Sequence, residues 1–146
     1  MKISTALVAH LLGTGSLKAG LSGLICTLYS GTAPSSADAA LSSSNVALCL
    51  VSVDAAGTGM SFDSDVSGGT LSKSSSETWK GTNIASGTAT FFRLHGTSDT
   101  GEASTALIRL QGSVALLSAD LNASSITLVS GEEFKINSCV LGFVAG

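Results

Sequence analysis

Hydrophobic and polar positions alternate with a period of two through much of this chain, and the longest clean example spans residues 88–114. In the run Thr88-Ala89-Thr90-Phe91-Phe92-Arg93-Leu94-His95, alternation puts Thr90, Phe92 and Leu94 on one face. In Leu107-Ile108-Arg109-Leu110-Gln111-Gly112-Ser113-Val114 it does the same for Ile108, Leu110 and Val114. The intervening residues 96–106 are small or polar and read as a loop, so the two runs predict a hairpin. Arg93, His95, Arg109 and Gln111 fall on the opposite face, which reads as wet, with Phe91 turned outward beside Arg93. Arg93 and Arg109 are expected to lie side by side there and to meet carboxylates of this chain or of a partner.

Ahead of this hairpin, Ser4 or Thr5 opens a short helix that carries Leu7, Val8 and Leu11 on a stripe and stops at Gly13-Thr14-Gly15. Lys2 and the apolar residues behind it superficially match a secretory leader. His10 breaks that run and Lys18 stands where cleavage would fall, so the helix is the reading adopted. A second helical turn is predicted over residues 16–21. Leu7, Val8, Leu11 and Leu12 are expected to dock onto a neighbour, as part of an N-terminal helical segment (residues 1–22) preceding a β-domain (residues 23–146).

Residues 24–29 predict the first strand and 46–53 the second, apolar on both faces and therefore covered on both. Short strands follow around Met60-Ser61-Phe62 and Thr70-Leu71-Ser72. An edge strand is expected at Trp79, whose indole reads as lateral core. Beyond the hairpin, Asp120-Leu121-Asn122, residues 126–129 and a last strand over 134–144 complete the pattern. Roughly seven to nine short strands between Gly and Ser turns predict an all-β antiparallel sandwich, jelly-roll-like, with a short N-terminal helical segment.

Composition sharpens this picture. Only 12% of residues are charged, against roughly 25% in ordinary soluble domains, and Gly, Ser, Thr and Ala take their place. Such a surface suits packing against other protein, so a homo-oligomer is expected. The net charge is −3, and the seven basic residues are scattered, which excludes a nucleic-acid interface. No apolar run reaches the roughly 18 residues of a membrane span, and no membrane partner is expected. Cys26, Cys49 and Cys139 each sit in an apolar run and read as buried thiols; they make no short-spaced pair with one another or with His10 and His95, so neither metal nor cofactor is expected.

Catalytic patterns are missing too. Gly-x-Ser-x-Gly does not occur, and His95 with Asp99 reads as a polar pair at a loop edge rather than part of a triad. Asp63 and Asp65 are followed by Val66-Ser67-Gly68, without the acceptors of a calcium loop. Asn122-Ala123-Ser124 matches a glycosylation acceptor only formally, and Glu132-Glu133 reads as a solvated turn.

A resemblance rests on several runs: Leu28-Tyr29-Ser30-Gly31-Thr32-Ala33-Pro34, Ala37-Asp38-Ala39-Ala40-Leu41, residues 85–94, Ile108-Arg109-Leu110-Gln111-Gly112-Ser113-Val114 and Ala119-Asp120-Leu121-Asn122. Together they resemble a small virion protein of tailed bacteriophages, similar to the jelly-roll cement or decoration proteins on the outside of phage capsids. The resemblance implies a non-enzymatic structural protein that binds the major capsid protein, associates with itself as a dimer or trimer, and joins the virion in the host cytoplasm. Neck or tail components share such sandwiches. A carbohydrate-binding fibre module is the other alternative, poorly supplied here by one Trp and one Tyr. The candidate interface residues are thus Leu7, Val8, Leu11, Leu12, Phe91, Arg93 and Arg109.

Overall fold

Ser4 fixes how the chain begins. The computed structural model describes residues 1–65 and 68–142, and in it Ser4 is fully buried, its hydroxyl accepting from Leu7 N at 3.2 Å and from Arg109 N at 2.9 Å. One side chain therefore caps a helix and ties it to a segment more than a hundred residues away. Before it lies β1 (Lys2–Ile3); after it come α1 (Thr5–Gly13) and α2 (Leu17–Leu21), the second capped by Ser16. Both helices stand where the sequence placed them.

The strands that follow are β2 (Ile25–Tyr29), β3 (Ala47–Val53), β4 (Phe62–Asp65), β5 (Thr70–Lys73), β6 (Trp79–Thr82), β7 (Gly87–Thr88), β8 (Phe91–His95), β9 (Leu110–Ala115), β10 (Leu121–Asn122), β11 (Thr127–Leu128), β12 (Glu133–Ile136) and β13 (Val140–Gly142). The large sheet runs β1-β9-β8-β2-β3-β6-β12, with β10 also on β9; β13-β5-β4 and β11-β7 form two smaller sheets. Among the described residues every strand pairing is antiparallel except β10 with β9. The fold is all-β and sandwich-like with two short helices, as predicted.

One core serves all of it. Cys26, Leu28, Leu48, Cys49, Val51, Phe92, Leu94, Leu110 and Val114 of the large sheet join Phe62 and Leu71 of the small one, and Leu7 and Leu21 enter the same cluster from the helices. The helical stripe expected to dock outward is accordingly split. Leu7 is fully buried and Leu11 packs against the core, whereas Val8 is 40% exposed and Leu12 85%. The β1–β9 pairing and the Ser4–Arg109 bonds draw the start of α1 onto the sheet, which turns Leu7 inward.

Two details differ from expectation. Trp79 is buried as foreseen, edge-to-face with Phe62 at 5.1 Å, but β6 lies between β3 and β12 and is not an edge. Gly81 permits that arrangement, since a Cβ there would stand 2.0 Å from Leu50 O. The single last strand is instead two: β12 pairs with β6, and β13 crosses to pair with β5 in the smaller sheet. Phe143 and Val144, included in the predicted strand, lie outside the described residues, as do Val66 and Ser67.

Candidate functional site

The hairpin pairs in the expected direction, with Arg93 opposite Gln111 and Leu94 opposite Leu110. Its second face is not wet. Arg93 is 1% exposed, Arg109 0%, and Gln111 and His95 are likewise buried, because the segment 34–41 and the hairpin loop fold across them. Most of the covering bonds come from main-chain carbonyls: Gln111 Nε2 donates to Pro34 O at 2.9 Å, Arg109 Nη1 to Ala37 O at 3.2 Å and Arg93 Nη2 to Ala39 O at 3.2 Å. The covering segment is held down at its flank as well, where Asp38 accepts from Thr5 N at 2.9 Å and Thr5 Oγ1 at 2.6 Å, and at its end, where Leu41 N donates to Gly101 O at 2.8 Å. This is a polar clasp over one face of the sheet.

Its centre is an ion pair. Arg109 Nε and Nη2 donate to the two oxygens of Asp99 at 2.5 and 2.6 Å, a bidentate fork closed from solvent, and Nη2 also donates to Glu102 O at 2.8 Å. Burial raises the affinity of the Asp99 carboxyl for its proton, but the Arg109 guanidinium and the Gly101 N–H outweigh it and hold the group below the ordinary carboxylate range. Arg93 is held differently, by the Gln111 side-chain oxygen at 2.7 Å from Nη2 and 3.3 Å from Nε, and its Nη1 has no partner among the described residues. Burial, and then the nearby Arg109 charge, lower the Arg93 pKa.

His95 and Thr27 sit beside this pair, 2.8 Å apart, with His95 Nδ1 2.9 Å from Gly96 O. A carbonyl can only accept, so Nδ1 carries the proton and Nε2 accepts from the threonine hydroxyl. Burial lowers the His95 pKa, the Gly96 carbonyl opposing it only in part, so the ring is neutral. Tyr29 and Phe91 stack at 5.1 Å and 14° on the same face. Phe91, expected outward, is 1% exposed because Tyr29 and the clasp cover it.

Of the seven candidate interface residues, Phe91, Arg93 and Arg109 meet in the clasp, Leu7 belongs to the core, and only Val8 and Leu12 face solvent as large apolar groups, with Leu11 half-buried. The arginines were expected to be adjacent and to find a carboxylate, and Arg109 finds one within its own chain. Thr27 and the carbonyls of Pro34, Ala37 and Ala39 are the members that sequence reasoning missed, while Gln111 was placed on this face and Asp99 beside His95 without their roles as partners of the two arginines. Among the described residues no three His, Cys, Asp or Glu side chains converge, and no helix is long and apolar enough to cross a membrane.

No protein-family profile, no curated protein and no solved structure matches the chain. A hydroxyl–imidazole pair whose second ring nitrogen faces a main-chain carbonyl, sealed beneath a clasp, is built to hold two strands and two loops in one register.

Proposed function

We propose that the protein is a structural component of a tailed-bacteriophage virion, a cement or decoration protein that binds the outside of the assembled shell as a homo-oligomer and stabilises it. One observation carries the reading: the chain spends three of its few charges, Arg93, Arg109 and Asp99, inside the clasp, and leaves aliphatic side chains such as Leu12 and Leu117 (79% exposed) on a Ser- and Thr-rich exterior. That exterior repels other protein surfaces weakly and gains by association. The runs behind the resemblance support it from another side, since residues 28–41, 91–94 and 108–114 are the segments that meet in the clasp. A rigid body of this kind, present in many copies, stabilises a shell by mass action when it binds the assembled state alone.

The test is to mix the purified protein with shells that lack it, then to sediment them and view them by negative stain. Co-sedimentation at a regular copy number, with shells that withstand more heat, is the expected result. Protein that stays in the supernatant, or that binds only isolated necks or tails, overturns the reading.

A further inference from the structure

We propose that the cavity beside Arg93 binds one small monovalent anion, of halide or formate size. The cavity has a volume of about 60 Å³ and is lined by Tyr29, Arg93, His95 and Asp99 together with Leu41, Thr100 and Gly101. Room for a water requires only about 10–15 Å³, so the space admits a small anion but not an organic phosphate. Gly101 lets the wall close: its φ is +84°, and a Cβ there would lie 2.7 Å from Leu41 Cδ1.

Charge supplies the argument for an anion. Two guanidinium groups are buried side by side, and among the described residues Asp99 is the one buried carboxylate facing them, already engaged at both oxygens by Arg109. The Asp38 carboxylate is turned to Thr5, Glu102 contributes its main-chain oxygen, and His95 is neutral. One buried positive charge is left without a counter-charge, and such a charge is costly. The same arginine has the unused donor: Nη1 of Arg93 is buried with no partner among the described residues, while Nε and Nη2 are fixed by Gln111 and Ala39. Water in the cavity would satisfy that N–H and leave the charge; a monovalent anion answers both.

Full-length protein is unfolded in urea at equal ionic strength in sodium bromide, sodium formate and sodium gluconate. Bromide and formate are expected to stabilise saturably, the folded-to-unfolded ratio rising about elevenfold at ten times Kd, and gluconate, too large for the cavity, to have no such effect. Arg93→Met removes the dependence on anion. Should that variant fail to fold, anomalous diffraction from bromide-soaked crystals of the unmodified protein decides the matter, with a bromide peak in contact with Arg93 Nη1 expected. The proposal is overturned by water alone at that position, by a carboxylate from a second copy occupying it, by equal anion dependence in Arg93→Met, or by bromide in the crystal without saturable stabilisation in solution.

Discussion

Asp99 is the acceptor on which the clasp turns, because it is the only acidic side chain paired with a buried arginine among the described residues. Asp99→Asn keeps the shape and removes the charge, leaving Arg109 buried without its counter-ion. A loss of about 3–5 kcal/mol in urea unfolding is expected, and a loss below about 1 kcal/mol would contradict the assignment. Replacing the pair together, Asp99→Leu with Arg109→Met, is expected to cost less than Asp99→Asn alone. The same residues set the response to acid. His95 has a folded pKa below its unfolded one, so the unfolded chain binds the proton first and stability drops as pH falls below about 6.5. Asp99 and Asp38 are also lowered, so a second loss follows as pH falls below about 4, where the unfolded carboxyls protonate and the folded ones resist. His95→Gln should abolish the first stage and keep the second, as read from melting temperature against pH.

Among the elements, α1 divides into a buried and a bare side, and substitution separates them. Leu7→Ala is expected to cost about 2–5 kcal/mol, while Leu12→Ser stays within about 0.5 kcal/mol, both by chemical denaturation. A chain that starts at Ser22 lacks β1, the Ser4 tie and the core residues Leu7 and Leu21, and is expected to lose cooperative unfolding. Alternation made the hairpin legible, and Phe92, Leu94, Leu110 and Val114 occupy the core face it assigned them. It failed on the other face for a physical reason. Period two separates two faces, yet a strand beneath a carbonyl-bearing loop has the same residue pattern as one beneath water. Pro34, Ala37 and Ala39 contribute only main-chain oxygens, which no residue type announces. The readable signal was scarcity: a chain with just two arginines places both on one hairpin face, with Asp99 and a turn-forming Gly101 in the loop between.

For the molecule as a whole, the three thiols and the exterior give separate expectations. Cys26 and Cys49 are buried as expected, whereas Cys139, also expected to be buried, is only half-buried. Burial raises the Cys26 and Cys139 pKa values and pushes that of Cys49 up to about 11. A thiol reagent at pH 7 should therefore reach Cys26 and Cys49 only as the protein unfolds and Cys139 slowly before that, and reductant should leave the melting temperature unchanged. Leu12→Glu combined with Leu117→Glu should reduce shell binding at unaltered melting temperature; undiminished binding would remove these residues from the interface. The long tie at Ser4 also bears on how the chain is born. A ribosome delivers Ser4 105 residues before Arg109, a gap of roughly 5–20 s at ordinary elongation rates. In that interval β2 can pair with β3 and then with β8, but the site for β1 does not yet exist. Residues 2–4 are made long before their partner and are seated only once β9 is there, so a chain stalled ahead of Arg109 leaves β1 unpaired and keeps Leu7 from the seat that the Ser4 tie gives it.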